Sequence, residues 1–135
     1  MNILTADDRT LTELDHIRIG RLINHHERRD HPMAAVLQQA ELLPSREVPT
    51  DVVTMHSRLR LTDLDSGRAL TITLCYPPDA EPARGFVSVL SPVGMSVLGL
   101  RVGDVARWRL PGGWEAAARV DAIEFQPEAF GIFTL

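Results

Sequence analysis

The hydrophobic pattern of the chain changes its period once. In the first part Leu11, Leu14, Ile17 and Leu22 recur at spacings of 3, 3 and 5, with Ile19 and Ile23 beside them. Such spacing lays apolar side chains along one face of a helix. Thr5-Ala6-Asp7-Asp8 reads as its start. Thr5 can cap, Asp8 follows three residues later, and two acids meet the positive end of the helix dipole. Gly20 is the weak point of this stretch. The predicted arm of about 18 residues would be roughly 27 Å long. The polar run from His25 to Asp30 reads as a turn, and Pro32 suits the first turn of a second helix. Met33, Val36, Leu37, Ala40 and Leu43 form that helix's apolar face, which Pro44 ends. Residues 1–44 are therefore expected to be a short antiparallel helical hairpin.

From Asp51 the period is two. Val53, Met55, Leu59 and Leu61 alternate with Thr54, His56, Arg58 and Arg60, as in a half-buried strand. Asp65-Ser66-Gly67 signals a turn. Leu70, Ile72, Leu74 and Tyr76 alternate with Thr71, Thr73 and Cys75, so the two runs read as an antiparallel β-hairpin. Pro77-Pro78 ends it. Phe86 to Leu90 predicts a short strand. Ser91 can then cap a short helix with Pro92 at its first position, and Gly99 can stop it. Ala106, Trp108 and Leu110 alternate with Arg107 and Arg109 in a further strand, and Pro111-Gly112-Gly113 turns the chain. In the last strand, Trp114 to Phe125, Ala118 and Val120 share one register while Ile123 and Phe125 share the next. One inserted residue, a β-bulge, produces that slip. Gln126 to Leu135 shows no period. The expected class is α+β: a helical hairpin over residues 1–44, then over residues 45–135 an antiparallel sheet wrapped around one short helix.

Composition sets limits on function. The 135 residues carry a net charge of −4, so a uniform basic field for nucleic acid is not expected. All 14 basic residues are arginine. Without lysine there is no Schiff-base chemistry and no P-loop lysine. Cys75 is the single cysteine, which excludes a disulfide framework or a multi-cysteine zinc site and suits a reducing compartment. No apolar run is long enough to span a membrane, and the first residues show no secretory pattern. A cytoplasmic location is the expectation.

Candidate chemistry is sparse. His25, His26 and His31 crowd the expected hairpin tip, where a metal site is conceivable beside the plainer reading of a solvated turn. Glu27 and Asp30 are the acids of that tip, interleaved with Arg28 and Arg29. His16 and His56 read as isolated surface residues, and Cys75 as an inert thiol on a polar-facing register. Arg58, Arg60, Arg107 and Arg109 share outer strand faces. They either form a patch for an acidic partner or blunt pairing with other chains. No catalytic residue, metal or cofactor is expected.

The run from Ser88 to Asp104, Ser-Val-Leu-Ser-Pro-Val-Gly-Met-Ser-Val-Leu-Gly-Leu-Arg-Val-Gly-Asp, resembles the signature of the Gre-factor C-terminal domain. The likeness is closer to one branch, the regulators of nucleoside diphosphate kinase (the Rnk family). Asp51 to Arg58 resembles that branch's first strand, and Leu110 to Gly113 and Glu124 to Ala129 resemble its end. The resemblance implies an FKBP-like C-terminal domain, a coiled-coil hairpin, and binding to RNA polymerase at its secondary channel. It implies no sequence-specific nucleic-acid contact and no membrane. Ser91 and Pro92 match the family's Ser-Pro pair implicated in docking. The tip departs from the cleavage factors: Glu27, Arg28, Arg29 and Asp30 replace a clean acidic pair, and the two cations would repel a catalytic magnesium ion. Occupation of the channel without transcript cleavage is the expectation, with any effect on the kinase indirect. An FKBP-like prolyl isomerase, a direct regulator of the kinase and a nucleotide-binding module are the rival readings. Against the isomerase stands the expectation that Trp108, Phe86 and Phe125 are core residues.

Overall fold

The computed structural model describes residues 9–25 and 31–135. Two short helices in contact with one another stand where the helical hairpin was expected. Strand β1 (Thr10–Thr12) precedes helix α1 (Glu13–His25), and helix α2 (Met33–Gln39) leads into strand β2 (Glu41–Leu43). The start of α1 thus lies later than expected. The Thr12 hydroxyl accepts the Asp15 N–H at 3.0 Å, which is the N-cap geometry assigned from sequence to Thr5. Thr5 to Asp8 lie outside the described residues. Leu43 also leaves its predicted helix, because β1 and β2 pair in parallel with Thr12 opposite Leu43. Strand pairing between distant segments has overridden local helical spacing here. The buried stripe of α1 accordingly runs through Asp15, Ile19 and Ile23, while Ile17 is 51% exposed.

The main sheet has five strands in the order β5-β4-β3-β7-β6. They are β3 (Arg58–Asp63), β4 (Ala69–Cys75), β5 (Phe86–Ser88), β6 (Val105–Arg109) and β7 (Glu115–Phe125). The sheet is mixed rather than purely antiparallel, since β5 lies parallel to β4 with Thr73 opposite Phe86. Residues 76–85 make this possible: two single 3-10 turns, each opened by proline, carry the chain back to begin beside β4. The strand expected from Asp51 begins only at Arg58. His56 has a positive φ of 69°, and its N–H bonds to Leu74 O at 2.9 Å, so the chain turns there before entering the ladder.

Strand β7 slips register against β3 at two places instead of one, around Glu124 and around Asp121. Each slip is a bulge that bends the strand and increases its twist. Helix α3 (Pro92–Val97) packs beside β6 within the curl of the sheet. Leu59, Leu61, Leu74, Val89, Val97, Leu98 and Val120 are each fully buried there. Ile19, Met33, Val36 and Leu37 of the helices belong to the same apolar cluster. At the end of β7, Gln126 is 2% exposed. Its Nε2 donates to Pro49 O and Val52 O, each at 2.8 Å, which anchors a final 3-10 turn, Pro127–Phe130. No described helix is long and apolar enough to cross a membrane.

Candidate functional site

The corner between β5 and α3 is held by side-chain bonds to its own backbone. Ser91 Oγ donates to Ser88 O at 2.7 Å and accepts the Gly94 N–H at 3.2 Å. Ser88 Oγ accepts the Leu90 N–H at 3.1 Å. The Met95 N–H then bonds to Ser91 O at 2.9 Å. Pro92 takes the first helical position, where a missing N–H costs nothing. Gly94 is required by contact: a Cβ there would meet Ser88 O at 2.0 Å. The Ser88 and Ser91 hydroxyls are thus both spent on the corner's own backbone, and Pro92 is left exposed.

The far end of α3 is held from outside the corner. Arg9, immediately before β1, is 7% exposed. Its guanidinium donates to Met95 O, and to Leu98 O at 3.1 Å. A cation at a helix C-terminus interacts favourably with the last carbonyls. Burial pulls its pKa down to about 10, so it remains charged near neutrality. Arg9 therefore ties the start of β1 to the end of α3. Arg9 carried no signal in the sequence, because a lone arginine beside a short apolar run has no periodic signature.

A second polar junction lies at the base of α1. Asp15 Oδ2 accepts the Met55 N–H at 3.1 Å. Burial lifts the Asp15 carboxyl to about 6, with nearby Glu128 adding to the rise and the Met55 bond opposing it. Glu128 itself is raised by burial and accepts the Thr54 hydroxyl at 2.7 Å. Burial also raises the Tyr76 phenol to about 12.

The remaining expected residues are distributed as follows. Glu27, Arg28, Arg29 and Asp30 lie outside the described residues, as does His26, and only the backbone of His25 is described, at the end of α1. His31 Nδ1 accepts the Met33 N–H at 3.1 Å. His16 is not an isolated surface residue, since its Nε2 lies 3.1 Å from Leu37 O and links α1 to α2. His56 stacks edge-on against Tyr76 at 5.6 Å, and burial lowers its pKa. Cys75 is buried rather than polar-facing, 3.5 Å from Val87 O, and burial raises its thiol. The arginines fall into two pairs separated by β7. Arg58 and Arg60 approach Glu124 at 3.3 and 3.9 Å. Among the described residues no ion pair involves Arg107 or Arg109. Trp108, Phe86 and Phe125 are half-buried rather than core. Phe125 stacks on Phe130 at 5.4 Å, and Trp108 borders a groove beside α3.

Residues 48–125 match the family described as transcription elongation factor, GreA/GreB, C-terminal. The regulator of nucleoside diphosphate kinase of Escherichia coli (strain K12) is 39% identical over 129 residues, which span 93% of this chain and 95% of that protein. The chain belongs to that regulator's family. Transcription elongation factor GreA of Desulfovibrio desulfuricans is 41% identical over 63 residues, 47% of this chain and 39% of that protein. A solved GreA/GreB structure from Nitrosomonas europaea is 31% identical, with a TM-score of 0.72, and covers 87% of this chain and 99% of that one. The GreA factor homolog of Thermus thermophilus, at 23% identity and a TM-score of 0.50 over 87% of this chain and 99% of that one, shares the fold. The matched family segment contains the whole Ser91–Pro92 corner.

Proposed function

We propose that this protein is a transcription regulator that binds RNA polymerase near its secondary channel and occupies it without stimulating transcript cleavage. The observation that carries the reading is the β5–α3 corner of a Gre-family domain, rigid and with Pro92 exposed at its apex. A rigid apex meets a partner surface with little ordering cost. Residues 45–135 supply this docking domain and residues 1–44 the segment that carries α1 and α2; the sequence between those helices includes Arg28 and Arg29, whose charge is unsuited to holding a magnesium ion. The protein acts by occupancy, with no catalytic group of its own. Any effect on nucleoside diphosphate kinase follows through transcription.

Binding of the purified protein to core RNA polymerase, in competition with a Gre factor, tests this. Pro92→Ala removes the exposed apex while touching none of the corner's hydrogen bonds. Competitive binding that weakens in Pro92→Ala and in Ser91→Glu, with no cleavage of backtracked RNA, is the expected result. Absence of binding at micromolar protein would overturn the reading and direct attention to the kinase itself. Catalysed prolyl isomerisation lost in Trp108→Ala would replace it with the enzyme alternative.

A further inference from the structure

Strand β6 is an edge of the sheet, and its ladder has a definite phase. The Val120 N–H bonds to Asp104 O at 2.9 Å, and the Leu110 N–H bonds to Trp114 O at 2.7 Å. In an antiparallel pair, bonded positions alternate along the strand. The even-numbered residues of β6 therefore face β7 with their N–H and C=O groups, and Arg107 and Arg109 turn theirs to the free side. Among the described residues nothing bonds to the main chain of Arg107 or Arg109 there. These residues line a groove of about 670 Å³, shared with Arg9, Pro92, Met95, Trp108 and one acid, Glu115, which stands opposite Arg109 in the ladder; three arginines against one carboxylate leave its lining cationic.

We propose that this free edge takes an acidic, extended peptide segment as an added strand, seated in the groove between β6 and α3. Main-chain bonds to Arg107 and Arg109 supply the attachment, as in other cases of strand addition. Side chains of an added strand alternate between the two faces of the sheet. One set falls beside Trp108 and Met95 and is apolar. The other falls beside the Arg107 and Arg109 side chains, which have no ion pair within the described molecule, and is acidic. A second copy of this chain fits poorly, because edge-to-edge pairing would set arginines opposite arginines, and like charges directly opposite are destabilising. The inference does not depend on polymerase docking, and it is tested without polymerase.

The probe is a capped peptide of about eight residues alternating glutamate and valine, titrated into isotopically labelled full-length protein. Backbone amide signals of Arg107 and Arg109 are expected to shift on binding. Arg107→Glu combined with Arg109→Glu is expected to weaken binding by about tenfold. The same peptide, N-methylated at alternate positions along its pairing edge, is expected not to bind; this control leaves the protein unaltered. The proposal is overturned by any of four results: unmoved amide signals at millimolar peptide, equal binding of the N-methylated peptide, equal binding of a lysine–valine peptide, or a self-associated dimer already protecting those amides.

Discussion

Gly94 and Asp15 are the residues whose surroundings dictate the most. At Gly94, a methyl group would collide with Ser88 O at 2.0 Å and with its carbonyl carbon at 2.8 Å. Both are backbone atoms of a strand and cannot swing away. Gly94→Ala is expected to cost at least about 2 kcal/mol, read from urea unfolding, and to weaken polymerase binding by displacing the corner. Asp15 makes stability depend on pH. Its carboxyl is raised from 3.8 to about 6, so between those values the folded chain holds a proton that the unfolded chain has released. Stability therefore falls as pH rises through that window and levels off above it. Glu128 is shifted the same way and adds to the slope. Asp15→Asn keeps an acceptor for the Met55 N–H and removes the titration. Unfolding midpoints measured from about pH 4 to about pH 7 are expected to decline less in this variant, and an unchanged decline would exclude Asp15 as its source.

At the scale of elements, the two residues that open α3 are expected to separate stability from the proposed docking. Ser91 caps the helix through the Gly94 N–H, and Ser91→Ala is expected to cost about 1 kcal/mol. Pro92 makes no such bond, and Pro92→Ala is expected to leave the unfolding midpoint nearly unchanged while reducing polymerase affinity. A Pro92→Ala midpoint that fell as far as that of Ser91→Ala would assign Pro92 to structure instead. Helix α1 shows the same capping logic at Thr12, whose hydroxyl holds the Asp15 N–H. Thr12→Ala is expected to cost about 1 kcal/mol, with circular dichroism reporting the loss at the N-terminal end of a 13-residue helix.

For the whole molecule, the apolar cluster runs through the helices, the sheet and α3, and Arg9 binds the N-terminal segment to the carbonyls of α3. Helical and sheet signals are therefore expected to be lost in one urea transition. Earlier loss of the helical signal would make residues 1–44 and 45–135 independent units. Arg9→Leu deprives the buried Leu98 carbonyl and its neighbour of a charged donor. It is expected to cost roughly 2 kcal/mol, with a single transition retained.

Alternation and turn chemistry were legible wherever neighbours along the chain decide structure. The β3–β4 hairpin, the Ser91 cap, the proline at its first helical position and the slip in β7 are all of this kind, since side-chain direction and capping depend on residues a few positions apart. The corner of the candidate site was legible for the same reason. Contacts between distant segments were not. The move of Leu43 from helix to strand depends on β1 lying beside it, and the parallel alignment of β5 depends on where residues 76–85 return the chain. The burial of Arg9 depends on carbonyls far along the sequence, and the unpaired edge of β6 on which strand ends the sheet. The sequence by itself determined the α+β class, most strands and the Ser91–Pro92 corner. Tertiary structure alone decided which polar groups are buried, which carboxyls are raised and which arginines have no ion pair among the described residues, because burial and pairing are properties of packed surfaces.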